Sequence, residues 1–182
     1  TPAPVGPYGE SKIKAEEYLK SKWEAEGKQT IILRPCMIHG PGNKGNLNLL
    51  YGFVKKGIPW PLGSFENHRS FTSVGNLCFV IGKLLETNIQ SGIYNMGDDE
   101  ALSTNELIEV MCQAMGKGTH IWNLPKSIMN FMAKCGDVIH LPLNSERLTK
   151  LTENYVVSNN KIKRAIGVER MPFSAKEGLA RN

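Results

Sequence analysis

The chain has 182 residues, 41% of them hydrophobic and 21% charged, with a formal net charge of +5. That apolar content supports one packed domain or two small lobes and excludes a disordered chain. No apolar run reaches spanning length and no charged start leads into an apolar stretch, so a cytoplasmic protein without a membrane partner is expected.

Near the start, Pro4, Pro7, Tyr8, Gly9, Ser11 and Lys12 spell P-x-x-P-Y-G-x-S-K. Pro7 suits the first position of an amphipathic helix over residues 7–26, with Ile13, Tyr18, Leu19 and Trp23 as its apolar stripe and Gly27 as its stop. Tyr8 and Lys12 lie four residues apart and so share a face. A free phenol titrates near ~10, so a phenolate working near pH ~7 needs about 4 kcal/mol of stabilisation. An ammonium ~4 Å away supplies that order of energy at an effective dielectric constant of about 20. The same spacing also fits an ordinary solvated helix face.

Thr30 to Leu33 form a short β-branched run without alternation, the pattern of a strand covered on both faces in a parallel sheet. The turn-rich Arg34-Pro35 and Gly40-Pro41-Gly42 beyond it fall where open α/β sheets place ligands. Residues 46–56 read as a helix, and the proline-rich 57–63 as irregular or edge strand. Residues 69–74 read as a strand, with Asn76 capping a helix over residues 77–86, and residues 92–97 as another strand between glycines. Ser103 and Glu106 form a capping box that opens a helix to Met115, ended by Gly116. Further helices are expected over about 125–135 and 158–166.

The 22 basic residues are dispersed, which with no zinc-finger spacing or RNA-binding aromatic motif argues against a nucleic-acid partner. Cys36, Cys78, Cys112 and Cys135 stand far apart in apolar stretches, as reduced core thiols do. The four histidines form no metal-ligand spacing, so no metal is expected.

Four ordered blocks, P-x-x-P-Y-G-x-S-K, I-L-R-P-x-x-x-x-G-P-G, R-S-F-x-x-V and G-I-Y-N-M-G, resemble the extended short-chain dehydrogenase/reductases of the NAD-dependent epimerase/dehydratase family. The resemblance covers essentially the whole chain and is nearest to UDP-sugar 4-epimerases and 4-keto-reductases of surface-polysaccharide synthesis. It implies an α/β fold: the C-terminal part of a Rossmann-like parallel sheet over residues 1–42, then a mixed α/β nucleotide-sugar lobe over 43–182, with the strand near 92–97 returning to the sheet.

By the same resemblance, Tyr8 is the acid/base group and Lys12 holds the nicotinamide ribose of NAD or NADP, while Pro35 lines the nicotinamide pocket. Asn46 would bind the nucleotide diphosphate, Trp60 and Leu62 would offer backbone groups to uracil, Arg69 would grip the pyrophosphate and Arg147 would touch the ribose. Met37 and His39 replace the family's usual asparagine and tyrosine at positions that bear on substrate choice. The family's G-x-x-G-x-x-G loop and upstream catalytic Ser or Thr do not occur here, so the chain reads as the C-terminal portion of a longer enzyme, inactive by itself. Its partners would be a UDP-sugar, the missing N-terminal Rossmann half and, at full length, a second copy. The alternative is an inactive nucleotide-sugar-binding or assembly module.

Overall fold

The computed structural model describes residues 6–22, 29–42, 47–139 and 143–181. Helix α1 (Gly6–Lys22) precedes strands β1 (Ile31–Pro35) and β2 (Met37–His39), helix α2 (Leu47–Lys55), strand β3 (Phe71–Ser73), helix α3 (Val74–Glu86) and strand β4 (Gly92–Met96). Five helices follow: α4 (Thr104–Ala114), α5 (Lys126–Ile139), α6 (Ser145–Thr152), α7 (Asn160–Ala165) and α8 (Ala175–Ala180).

Two parallel pairs organise the chain. β1 pairs with β4 from Ile31 opposite Gly92 to Pro35 opposite Met96, and β2 pairs with β3 from Met37 opposite Phe71 to His39 opposite Ser73. Cys36 is the hinge between them: its N–H still donates to the Met96 carbonyl (2.9 Å), after which the chain changes partner. Two apolar cores lie on either side of this hinge. Val80, Tyr94, Met96, Ile162 and Ile166 join α3, β4 and α7, whereas Leu50, Trp60, Leu107, Met111, Met129, Leu148 and Leu179 join α2, α4, α5, α6 and α8.

Asp98 stitches the hinge together. It is buried and accepts from the Ser73 N–H (3.1 Å), the Ser73 hydroxyl (3.2 Å) and the Asn76 amide (2.7 Å), so the ends of β3 and β4 and the start of α3 share one carboxylate. Ser73, not Asn76, caps α3, accepting from the Asn76 N–H. Asn76 sits inside the first turn because its side chain is claimed from far along the chain: it donates to the Phe173 carbonyl (2.8 Å) and accepts from the Phe173 N–H (3.0 Å).

The capping box of Ser103 and Glu106 forms as expected, and Gly116 past the end of α4 has φ +64°. Two helices go beyond expectation. α6 is capped by the Asn144 side chain, and α8 opens on a second capping box, Ser174 with Glu177. The expected stripe on α1 is not a buried face: Ile13 is half-buried, while Tyr18 and Leu19 are exposed because no described element packs over them. Trp23 and Gly27 lie outside the described residues. The cysteines also divide: Cys36 and Cys112 are buried, but Cys78 and Cys135 are exposed, since each lies on the outer side of an amphipathic helix.

Candidate active site

Tyr8, Lys12 and Glu16 recur every four residues along α1 and thus share one face. The Lys12 ammonium lies 5.2 Å from the centre of the Tyr8 ring, a cation–π contact, and Tyr8 is 76% exposed. Two turns on, Glu16 ties the helix to β1 by a bidentate pair with Arg34, whose Nε donates at 2.8 Å and whose Nη2 donates to the second oxygen. The Arg34 hydrogen bonds hold the Glu16 carboxyl below its ordinary range against partial burial, and Glu16 in turn raises Arg34. Arg34 immediately precedes Pro35, which is exposed at the carboxyl end of β1, so this pair fixes α1 relative to that strand end. The signal in the sequence that marks Glu16 is its spacing of four residues from Lys12.

A separate cavity of about 510 Å³ lies in the second core, within the range of small-molecule sites. Its wall is apolar, with Met37, Leu50, Phe53, Trp60, Leu62 and Phe71, and its polar side carries Arg69, Asn144, Glu146, Arg147 and Lys150. The structure therefore brings Trp60, Leu62, Arg69 and Arg147 together, whereas Tyr8, Lys12 and Pro35 do not line this cavity. Asn46 lies outside the described residues.

Three of these residues have defined polar partners. Trp60 is buried; its indole N–H donates to Asn105 (3.0 Å), its backbone N–H donates to the His120 carbonyl (2.8 Å) and its carbonyl accepts from the Trp122 N–H (2.8 Å), so the backbone groups expected to meet a base are already paired within the protein. Arg69 donates to the Lys150 carbonyl at the end of α6 and lies 3.6 Å from Glu153. Its guanidinium is thereby oriented while it lines the cavity. Lys150, absent from the sequence expectations, pairs with Glu146 at 2.5 Å, and that hydrogen bond lowers the Glu146 carboxyl. Three cations against one carboxylate give this wall a positive balance suited to an anionic ligand.

Of the two unusual positions, Met37 lines the cavity but His39 does not. His39 is fully buried, 3.5 Å from Asp98 and edge-on to Phe71, so its bearing is on the hinge and not directly on a ligand.

A profile of the NAD dependent epimerase/dehydratase family matches residues 1–97. The chain belongs to this family. The UDP-glucose 4-epimerase of Vibrio cholerae is 34% identical over 128 residues, 69% of this chain and 38% of that protein. The N-acetyl-alpha-D-glucosaminyl-diphospho-ditrans,octacis-undecaprenol 4-epimerase of Escherichia coli O157:H7 is 31% identical over 167 residues, 88% of this chain and 47% of that protein. Among solved structures, the UDP-glucose 4-epimerase of Thermus thermophilus in complex with NAD matches with a TM-score of 0.66 at 25% identity, covering 98% of this chain and 53% of that one. The chain thus spans less than half the length of these curated relatives. Its α/β architecture with parallel strands is that of the family's Rossmann-like enzymes.

Pro35 is exposed at the carboxyl end of a parallel strand, and Tyr8 and Lys12 stand on an exposed face of α1.

Proposed function

We propose that the chain is the C-terminal portion of an NAD(P)-dependent nucleotide-sugar epimerase or reductase acting at C4 of a UDP-hexose, residues 1–42 closing the dinucleotide domain and residues 43–182 forming mainly the substrate lobe. The observation that carries this reading is the cavity, apolar on one wall and lined by Arg69, Arg147 and Lys150 on the other, in a chain of this family. Arg69 and Lys150 would hold the diphosphate, Arg147 the ribose, and Trp60 and Leu62 the base. Asn46 is assigned to the diphosphate on the resemblance alone.

At the reacting carbon, Tyr8 would give or take the proton of the C4 oxygen while Lys12 stabilises the phenolate and orients the cofactor ribose. The chemistry that NAD or NADP supplies when bound is hydride exchange at that carbon. Pro35 would line the nicotinamide pocket. The remaining cofactor cradle would come from the N-terminal half, so this chain by itself is expected to be inactive, and dimerisation is assigned to the full-length enzyme in the cytoplasm.

In the full-length protein, Tyr8→Phe is expected to lower kcat by about 10²-fold or more with UDP affinity retained. Arg69→Ala should weaken UDP binding by roughly tenfold or more, the value of a charge-assisted hydrogen bond. Undiminished turnover would overturn the role of Tyr8, and unchanged affinity that of Arg69. Product analysis with UDP-N-acetylglucosamine and its 4-keto-6-deoxy derivative separates epimerase from reductase.

A further inference from the structure

Along α1, the residues three and four positions from Lys12 are Tyr8, Gly9, Ala15 and Glu16, so a ring and a carboxylate compete for one ammonium. Glu16 is the one carboxylate at that spacing. A glutamate four residues from a lysine on an exposed helix face is placed to pair with it. Here the ammonium stands 5.2 Å from the centre of the Tyr8 ring, and both Glu16 oxygens accept from Arg34.

Arg34 takes the carboxylate for reasons of shape and shelter. Its Nε donates to one oxygen at 2.8 Å and its Nη2 donates to the other, a planar fork matched to a carboxylate, whereas an ammonium is a point charge on a flexible stem. The Glu16 side chain is 15% exposed and that of Arg34 34%, while Lys12 is exposed, so water screens the competing lysine more than the arginine. Arg34 also starts from a fixed base, opposite Asn95 in the β1–β4 ladder. The Arg34 hydrogen bonds hold the Glu16 carboxyl below its ordinary range against partial burial, with a smaller effect of Lys20 one turn on. The charged and titratable groups around this pair are Lys12 and Lys20 from α1 and, bearing on Arg34, Tyr155 from the segment after α6, with Tyr8 beyond Lys12.

We propose that Arg34 is a positioning residue for proton transfer at Tyr8: by engaging Glu16 it keeps the neighbouring carboxylate off Lys12 and leaves the ammonium to the phenolate. This role rests on the acid/base reading of Tyr8 and adds the reason that Lys12 is available to it. A brace between α1 and β1 is lost equally whichever partner is removed, but a competition for Lys12 makes the two removals differ in sign. Arg34→Met releases a negative charge one turn from Lys12 and disfavours the Tyr8 phenolate. Glu16→Gln removes the competitor and does not.

The test uses the full-length protein with its tyrosines isotope-labelled at Cζ, titrated by NMR without substrate, the Tyr8 signal being the one lost in Tyr8→Phe. Its transition is expected at higher pH in Arg34→Met than in the unaltered protein, no higher in Glu16→Gln, and restored in the double variant Arg34→Met with Glu16→Gln. On the acid side of its optimum, kcat/KM should fall by about threefold to tenfold in Arg34→Met and recover in the double variant, with UDP affinity unchanged throughout. Upward shifts of equal size in the two single variants, or a double variant that stays with Arg34→Met, would reduce the pair to a brace and overturn the proposal. An unmoved Tyr8 transition in Arg34→Met beside an inactive Tyr8→Phe would overturn this inference alone, whereas undiminished turnover in Tyr8→Phe would overturn the acid/base reading together with it.

Discussion

Replacing Asp98 by alanine tests the hinge between the two parallel pairs. The carboxylate is 3% exposed and is the acceptor for the Ser73 N–H, the Ser73 hydroxyl and one hydrogen of the Asn76 amide. The hydroxyl can rotate, and the other amide hydrogen keeps the Phe173 carbonyl, but the Ser73 N–H and the first amide hydrogen lose a charged acceptor within the protein. At about 1.5–3 kcal/mol for each hydrogen bond to a charged group, Asp98→Ala should cost about 3–6 kcal/mol. That is a large part of a typical domain's total of roughly 5–15 kcal/mol. Asp98→Asn keeps the shape and one acceptor oxygen, so it should cost about half as much. Urea unfolding followed by circular dichroism gives both values from the midpoint and slope. A loss below about 1 kcal/mol in the alanine variant would refute the clamp and place the stability of the hinge in its apolar packing.

Gly136→Ala forces a Cβ into the Leu143 backbone and should cost about 1–3 kcal/mol with a matching fall in Tm; an unchanged Tm would contradict the close approach of α5 and α6. Burial, with a smaller effect of the Asp98 charge, pushes the Cys36 thiol up to about 11. In native protein near pH ~8, a thiol reagent should therefore titrate exposed Cys78 and Cys135 and spare Cys36, with Cys36 and Cys112 reacting only after denaturation. Burial raises the Asp99 carboxyl, but Lys163, the Met171 N–H and Asn159 together outweigh it and leave it lowered. A lowered folded-state value means stability that is present above the unfolded value, near ~3.9, and lost as pH falls through the folded one. The Tm difference between the protein and Asp99→Asn should accordingly be level above about pH 5 and shrink below about pH 4; a difference independent of pH would refute the ion pair's role.

Signals confined to one turn of chain were legible in advance. Ser103 with Glu106 needs only three residues to form its box, and β1 and β4 needed only short apolar runs between turn residues. Ser174 with Glu177 carries the same signal, so α8 is legible too. α6 was harder, because Leu148 and Leu151 alone give eight residues too little apolar period to stand out, and with α6 went Lys150. The cap of α3 was misassigned for the opposite reason. Asn76 looks like a local cap, but partners 22 and 97 residues away compete for its side chain.

From residue type, spacing and order, the chain by itself determined its family, its α/β class and the pairing of Tyr8 with Lys12 on one helical face. Only the tertiary structure decided that Arg69, Arg147 and Lys150 share a cavity, that His39 belongs to the hinge, and that Met129 of α5 is buried while Phe131 and Val138 are exposed. The physical reason is range. Helical spacing records which residues share a face, but whether a face meets protein or solvent depends on chain brought back from tens of residues away.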